Sequence, residues 1–155
     1  LMGAGSANDA SGLAAPEKEG VGIKLAVARS LKDANLQPQD IQIINAHGTG
    51  TPTNDSTEVK AYEDIFADVN PIVFATKGAF GHSLGATGAL EAIATILALY
   101  HNNVPPIKNL NQPVNSSFLR FAVTPYPNHH ATYGLSLTIG FGGFNTSLIF
   151  SKVPT

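Results

Sequence analysis

The sequence predicts one α/β domain over residues 1–155, with a mixed, mainly parallel sheet and helices on both faces. Three observations carry this. Short β-branched apolar runs alternate with stretches of helical periodicity through the first two thirds of the chain. Two of those runs pass into glycine-framed histidines and then into helical patterns. In the last third, two apolar runs flank Gly140-Phe141-Gly142-Gly143-Phe144-Asn145, the pattern of an antiparallel pair.

Leu1-Met2-Gly3-Ala4-Gly5 reads as the inside of a strand and not as the start of a chain. The sequence therefore reads as part of a larger polypeptide or one product of a cleavage, with an engineered piece as the plain alternative. Asn8-Asp9-Ala10-Ser11-Gly12 is turn-rich, and the loop extends to Pro16. Ile23, Val27, Leu31 and Ala34 recur at helical spacing and predict a helix over 20–35, with Lys24, Arg29 and Lys32 off that stripe. Asn35 suits its end, and Pro38 follows. Residues 41–45 form a short strand. Asp55 or Ser56 is expected to cap a helix running to about Phe66, with Glu58 in its first turn. Residues 72–75 form a second buried strand. The run over 85–101 is nearly all apolar, which predicts a helix buried on every side. Such a helix needs layers on both of its sides, more than an isolated two-layer domain supplies. Val104-Pro105-Pro106 ends it. Residues 118–123 read as a further strand, and 135–139 with 147–150 as the antiparallel pair.

Composition narrows the function. Only 13% of the residues are charged and the formal net charge is −2, with no basic block or stripe, so nucleic acid is not an expected partner. Gly, Thr, Asn and His interrupt the apolar runs, so no membrane span is expected, and the first residues lack the basic start of a signal peptide. The absence of cysteine excludes disulfides, thiolate metal sites and a Cys nucleophile on this chain. No metal is expected.

The chemistry concentrates on His47, in Asn45-Ala46-His47-Gly48-Thr49-Gly50-Thr51-Pro52, and on His82, in Lys77-Gly78-Ala79-Phe80-Gly81-His82-Ser83-Leu84-Gly85. Each follows a strand, so both imidazoles arrive at the same end of the sheet. Two imidazoles there can polarise one carbonyl oxygen and stabilise an enolate. A lone Gly-flanked His is more often a loop residue bonded to backbone; the pairing is what raises the functional reading. Thr49 and Thr51 offer hydroxyls to a polar ligand arm, or simply hold the turn. Lys77 and Glu91 are expected to form a buried ion pair, because Glu91 is the only acid after Asp68 and lies on an apolar helix. That pair is expected to anchor the second loop and orient His82, or to be purely structural. Gly140, Gly142 and Gly143 can bring backbone N–H groups to a ligand, with Phe141 as a mobile gate or a hairpin core residue. His101, His129 and His130 have no supporting frame. Gly81-His82-Ser83-Leu84-Gly85 matches the hydrolase nucleophile elbow, but no Asp follows Ser83 and the preceding strand ends too early, so that reading is set aside.

These motifs, taken in order, resemble the C-terminal half of β-ketoacyl-acyl-carrier-protein synthases of the two-histidine class, from about Gly3 to Phe150. The resemblance implies the thiolase fold, two similar α/β halves in layers, of which this chain looks like the second. It implies a decarboxylative Claisen condensation, with the Cys nucleophile in an N-terminal half that this chain lacks. His47 and His82 would donate hydrogen bonds to the malonyl thioester oxygen as it becomes an enolate. Lys77 and Glu91 would hold the His82 loop, Thr49 and Thr51 would contact the phosphopantetheine arm, and Asp55 would support the first histidine loop. Phe141 would be the gate, with its backbone N–H in the oxyanion hole.

Related classes differ by residue. A thiolase would carry a Cys in the last Gly-rich loop, where this chain has Phe141. Class III synthases and chalcone synthases have Asn where this chain has His82. Multimodular polyketide synthases usually show Asp-Pro where Asn54-Asp55 stands here, which favours a stand-alone synthase. Gly78 replaces the usual Ser and is expected to loosen its loop. Phe144 replaces a small or polar residue, and Phe80 is bulky, so both are expected to change pocket shape. A non-condensing, chain-length-type partner subunit is the alternative, which retention of both histidines disfavours; a scaffold with a decayed site ranks below it. The implied partners are the Cys-bearing half and an acidic acyl carrier protein, in a dimer of the complete synthase. No cofactor is implied beyond the phosphopantetheine that carries substrate. The cytoplasm is the expected compartment, with plastid or mitochondrion left open.

Overall fold

The computed structural model describes residues 1–9, 11–12 and 16–152. Of the expected loop over 8–16, residues 10 and 13–15 lie outside this set. The elements are β1 (Gly3–Asn8), α1 (Val21–Ala34), β2 (Ile43–Asn45), α2 (Pro52–Phe66), β3 (Ile72–Phe74), α3 (Lys77–Phe80), α4 (Thr87–His101), β4 (Asn103–Val104), β5 (Arg120–Phe121), β6 (Tyr126–Pro127), β7 (Tyr133–Gly140) and β8 (Phe144–Ser151). Six strands form one sheet in the order β1-β8-β7-β2-β3-β5. The pairs β7·β2, β2·β3 and β3·β5 are parallel, and β1·β8 and β8·β7 are antiparallel. The mixed, mainly parallel sheet read from the sequence is therefore present. β4 and β6 form a small separate ladder that the sequence did not signal.

Alternation along the strands divides the core in two. Ile44, Val73, Leu135, Leu137 and Ile149 face α1 and α2, where they pack on Ile23, Val27, Tyr62 and Phe66. Ile43, Ile72, Phe74 and Phe150 face the other way, against Ala98 and Leu99 of α4. The close contact between α1 and β1 depends on small residues. A Cβ placed on Gly5 would lie 2.1 Å from the Ala26 carbonyl oxygen.

Three expectations need correction. Helix α2 starts at Pro52, not at Asp55 or Ser56; Thr51 occupies the cap position and Pro52 the first helical turn, where its fixed φ and missing N–H cost nothing. Glu58 consequently lies in the second turn. Helix α4 is not buried all round. Its buried residues are Thr87, Glu91, Thr95, Ala98 and Leu99, while Leu90, Ile93, Ile96, Leu97 and Tyr100 are exposed. The sheet covers one face only, and that face carries the helix's polar side chains. The stretch Leu84–His101, with 18 residues and a mean hydropathy of 1.3, also has the length and apolar character to cross a membrane, contrary to the sequence reading. Its inner face here is a layer of the sheet domain.

Gly5→Ala in the full-length protein is expected to destabilise it by about 1–3 kcal/mol through overpacking against α1. Urea unfolding checks this; an unchanged midpoint would contradict the β1–α1 contact.

Candidate active site

Neighbouring parallel strands β2 and β3 bring the two histidine loops together at their C-terminal ends, the usual place for a site in such sheets. His47 follows β2 by two residues and is buried. His82 follows β3 by way of α3 and is exposed. The ring centroids lie 5.5 Å apart, with the planes at 83°. Both line a cavity of about 530 Å³, together with Thr49, Thr51, Thr138 and Phe141.

The hydrogen bonds at each Nδ1 settle the tautomers. Lys77 Nζ lies 3.1 Å from His47 Nδ1. An ammonium only donates, so Nδ1 accepts, and in the neutral ring the proton sits on Nε2. Burial above all, then the Lys77 and His82 charges, holds the His47 pKa down at about 3. At His82, Leu84 N–H donates to Nδ1 at 3.1 Å, and Thr87 Oγ1 lies 3.3 Å away. Leu84 adopts φ 49 to aim that N–H, an uncommon conformation for a residue with a side chain. The neutral His82 ring therefore also carries its proton on Nε2.

Lys77 and Glu91 pair as the sequence predicted. Their target is different from the one expected. Lys77 donates to Glu91, to His47 Nδ1 and to the His47 carbonyl oxygen, so its head anchors the first histidine, not His82. The α3 turn points the Lys77 side chain back towards β2 while the backbone runs on to His82. Glu91 also accepts from Thr138 Oγ1 at 2.8 Å. Burial pushes the Glu91 carboxyl upward, opposed mainly by Lys77.

The other predicted residues fall into place around this centre. The Thr49 and Thr51 hydroxyls bond each other at 2.7 Å. Asp55 Oδ1 accepts from Gly50 N–H at 3.2 Å, which supports the histidine loop. Phe141 is 72% exposed at the cavity edge. Gly143, but not Gly142, lines the cavity; both have φ near 80°, and a Cβ on Gly143 would lie 1.7 Å from the Asp9 carbonyl oxygen. Phe144 and Phe80 do not line the cavity, so neither narrows it within this chain. Gly78 does not loosen its segment. A Cβ there would lie 2.2 Å from the Lys108 carbonyl oxygen, so the glycine permits a tight seat against that loop.

Sequence reasoning noticed Glu58 but missed its role. Its carboxylate accepts from the backbone N–H groups of His47, at 2.8 Å, and Gly48, at 2.7 Å. It also accepts from Asn54 Nδ2 and from the Tyr62 hydroxyl. The i, i+4, i+8 spacing of Asn54, Glu58 and Tyr62 was the available signal.

Residues 1–111 match the family described as beta-ketoacyl synthase, C-terminal domain. The chain belongs to the β-ketoacyl synthase family. As its C-terminal domain it is 37% identical over 154 residues to the 3-oxoacyl-(acyl-carrier-protein) synthase 2 of Staphylococcus aureus (strain COL), covering 98% of this chain and 37% of that protein. The ishigamide ketosynthase/chain length factor superposes with a TM-score of 0.91 at 33% identity, covering 99% of this chain and 38% of that one. A complex of a type II polyketide acyl-carrier protein with its ketosynthase, bound to the hexaketide, superposes with a TM-score of 0.92 at 25% identity, covering 99% and 38%. The layered fold of this β-ketoacyl synthase domain is thus thiolase-like, and the chain spans a little over a third of the length of the curated relative, at 37%.

Lys77→Met in the complete protein is expected to cost about 3–5 kcal/mol, because it strands a buried carboxylate at Glu91. The double substitution Lys77→Met/Glu91→Leu is expected to recover part of that loss. Denaturant midpoints check both; a double variant no more stable than the single would contradict the pairing.

Proposed function

We propose that this chain supplies the two-histidine half of a 3-oxoacyl-acyl-carrier-protein synthase, which condenses an acyl thioester with a malonyl-carrier. The observation that carries the reading is the pair of imidazoles in one cavity, each with Nδ1 occupied by a donor and Nε2–H left for substrate. The Cα–carboxylate bond of the malonyl group breaks, carbon dioxide leaves, and the electron pair moves into the Cα–carbonyl unit as an enolate. Two Nε2–H groups aimed at that thioester oxygen stabilise the charge as it develops. The enolate Cα then attacks the acyl thioester on the Cys of the N-terminal half; the C–C bond forms, and the Cys thiolate leaves.

A neutral His47 suits this role, since its Nε2–H donates one hydrogen bond and a neutral imidazole holds that proton far more tightly than an imidazolium would. Lys77 and Glu91 keep its ring in that state and orientation. Thr49 and Thr51 stand at the cavity edge where the phosphopantetheine arm of a carrier protein would enter, and Phe141 gates the same opening. The backbone N–H of Phe141 and the turn at Gly142 and Gly143 serve the oxyanion of the acyl step. No metal or bound cofactor enters the scheme.

The partner half is supported by α4. Its exposed face is the apolar one, a stripe of Leu90, Ile93, Leu97 and Tyr100, and leaving such a stripe in water is unfavourable. We assign this face to the Cys-bearing N-terminal half, as the second layer that the helix was expected to have. The chain-length-type alternative needs neither histidine, so an intact donor pair argues against it.

In the complete synthase, His47→Ala or His82→Ala is expected to lower malonyl-carrier decarboxylation by about 10²–10³-fold, the usual effect of removing one oxyanion donor. Release of carbon dioxide from labelled malonyl-carrier checks this. Unchanged release in both variants would remove the condensing reading and leave the partner-subunit one.

A further inference from the structure

We propose that Tyr62 is a positioning residue for His47, acting through Glu58. The proposal rests on the two-histidine reading of the site. Asn54, Glu58 and Tyr62 stand one above another on the buried face of α2, one turn apart. Glu58 Oε1 accepts from His47 N–H at 2.8 Å and from the Tyr62 hydroxyl at 2.9 Å. Glu58 Oε2 accepts from Gly48 N–H and Asn54 Nδ2, both at 2.7 Å. Each oxygen thus takes one N–H from the histidine loop and one donor from the helix.

No ion pair neutralises Glu58 among the described residues, so four hydrogen bonds alone hold a carboxylate that is out of water. The terminal torsion of a Glu side chain is soft, and two donors in opposed positions are what stop it turning. The Tyr62 hydroxyl is the donor that fixes Oε1, the oxygen bonded to His47. The His47 backbone is then held on both sides: its N–H by Glu58, and its carbonyl, with the ring Nδ1, by Lys77. The direction of Nε2 follows from those three anchors. Losing the Tyr62 hydroxyl leaves Oε1 with the loop N–H as its only partner, and the ring position loosens.

The test uses Tyr62→Phe in the complete synthase and follows two partial reactions. Decarboxylation of malonyl-carrier needs a well-placed His47; loading of the acyl group onto Cys does not. The expected result is a fall in kcat for decarboxylation between about 10- and 100-fold, the scale of a small misplacement of a catalytic group. KM for malonyl-carrier and the loading rate stay as in the parent, and the circular dichroism spectrum is unchanged at the assay temperature. Wild-type decarboxylation, or an equal fall in both reactions, would overturn the proposal. Glu58→Gln is assayed beside it, keeps one accepting oxygen, and is expected to show the same selective loss, so the proposal stays testable if Tyr62→Phe yields no folded protein. A His47→Ala control separates the two claims. If it decarboxylates normally, the two-histidine reading fails; if it is inactive while Tyr62→Phe is normal, only the role of Tyr62 fails.

Discussion

An ammonium group removed from water must find three acceptors inside the protein, and Lys77 finds them on Glu91 and twice on His47. Much of the site follows from that constraint. Glu91 must be on the inner face of α4, which turns the polar stripe of that helix towards the sheet and its apolar stripe outward. The Lys77 head must lie under the end of β2, which sets α3 as a tight turn and carries the backbone on to His82. The proton on Nε2 of His47, and so the direction in which that ring can donate, follows from the same contact. Lys77, two of whose three acceptors lie on the active-site loop and the third on α4, is as much a fold residue as a functional one.

A second buried charge mirrors the first. Glu58 approaches His47 from α2, on the opposite side of the sheet from α4, and holds the backbone N–H groups of the loop. His47 is thereby set between a carboxylate and an ammonium that do not touch each other. Burying either charge is costly, and each is tolerated because its partners are all supplied. The anchoring of the first histidine from both sides and the single backbone donor from Leu84 at the second give the pair an asymmetric character: one ring buried, the other exposed at the cavity wall. The apolar outer face of α4 is left exposed by the described residues.

The parts of this arrangement written in local sequence were legible. Apolar runs ending in glycine-framed histidines gave strands whose ends carry the site, and a single acid on an apolar helix implied its Lys77 partner. What depended on three-dimensional direction was not legible. Lys77 is five residues before His82 in the chain, yet its side chain turns back to His47. The Asn54, Glu58 and Tyr62 stripe has the period of an ordinary helix face, and only packing shows that it is buried against a loop. Pro52 hid the start of α2, because a proline reads as a break until its place in the first turn is known. Gly78 looked like a loosened loop and Phe144 like a change to the cavity; packing makes the first a seat for the Lys108 loop, and places the second outside the lining.

The most direct test of the central claim is nitrogen-15 NMR of the imidazole rings in the complete, selectively histidine-labelled protein. At pH 7 His47 should show a protonated Nε2 and a bare Nδ1. With its pKa at about 3, His47 should keep that pattern when the sample is taken to pH 5. A proton on Nδ1 of His47, or a His47 ring that becomes charged between pH 7 and pH 5, would contradict the anchoring by Lys77 and with it the paired-donor account of the site.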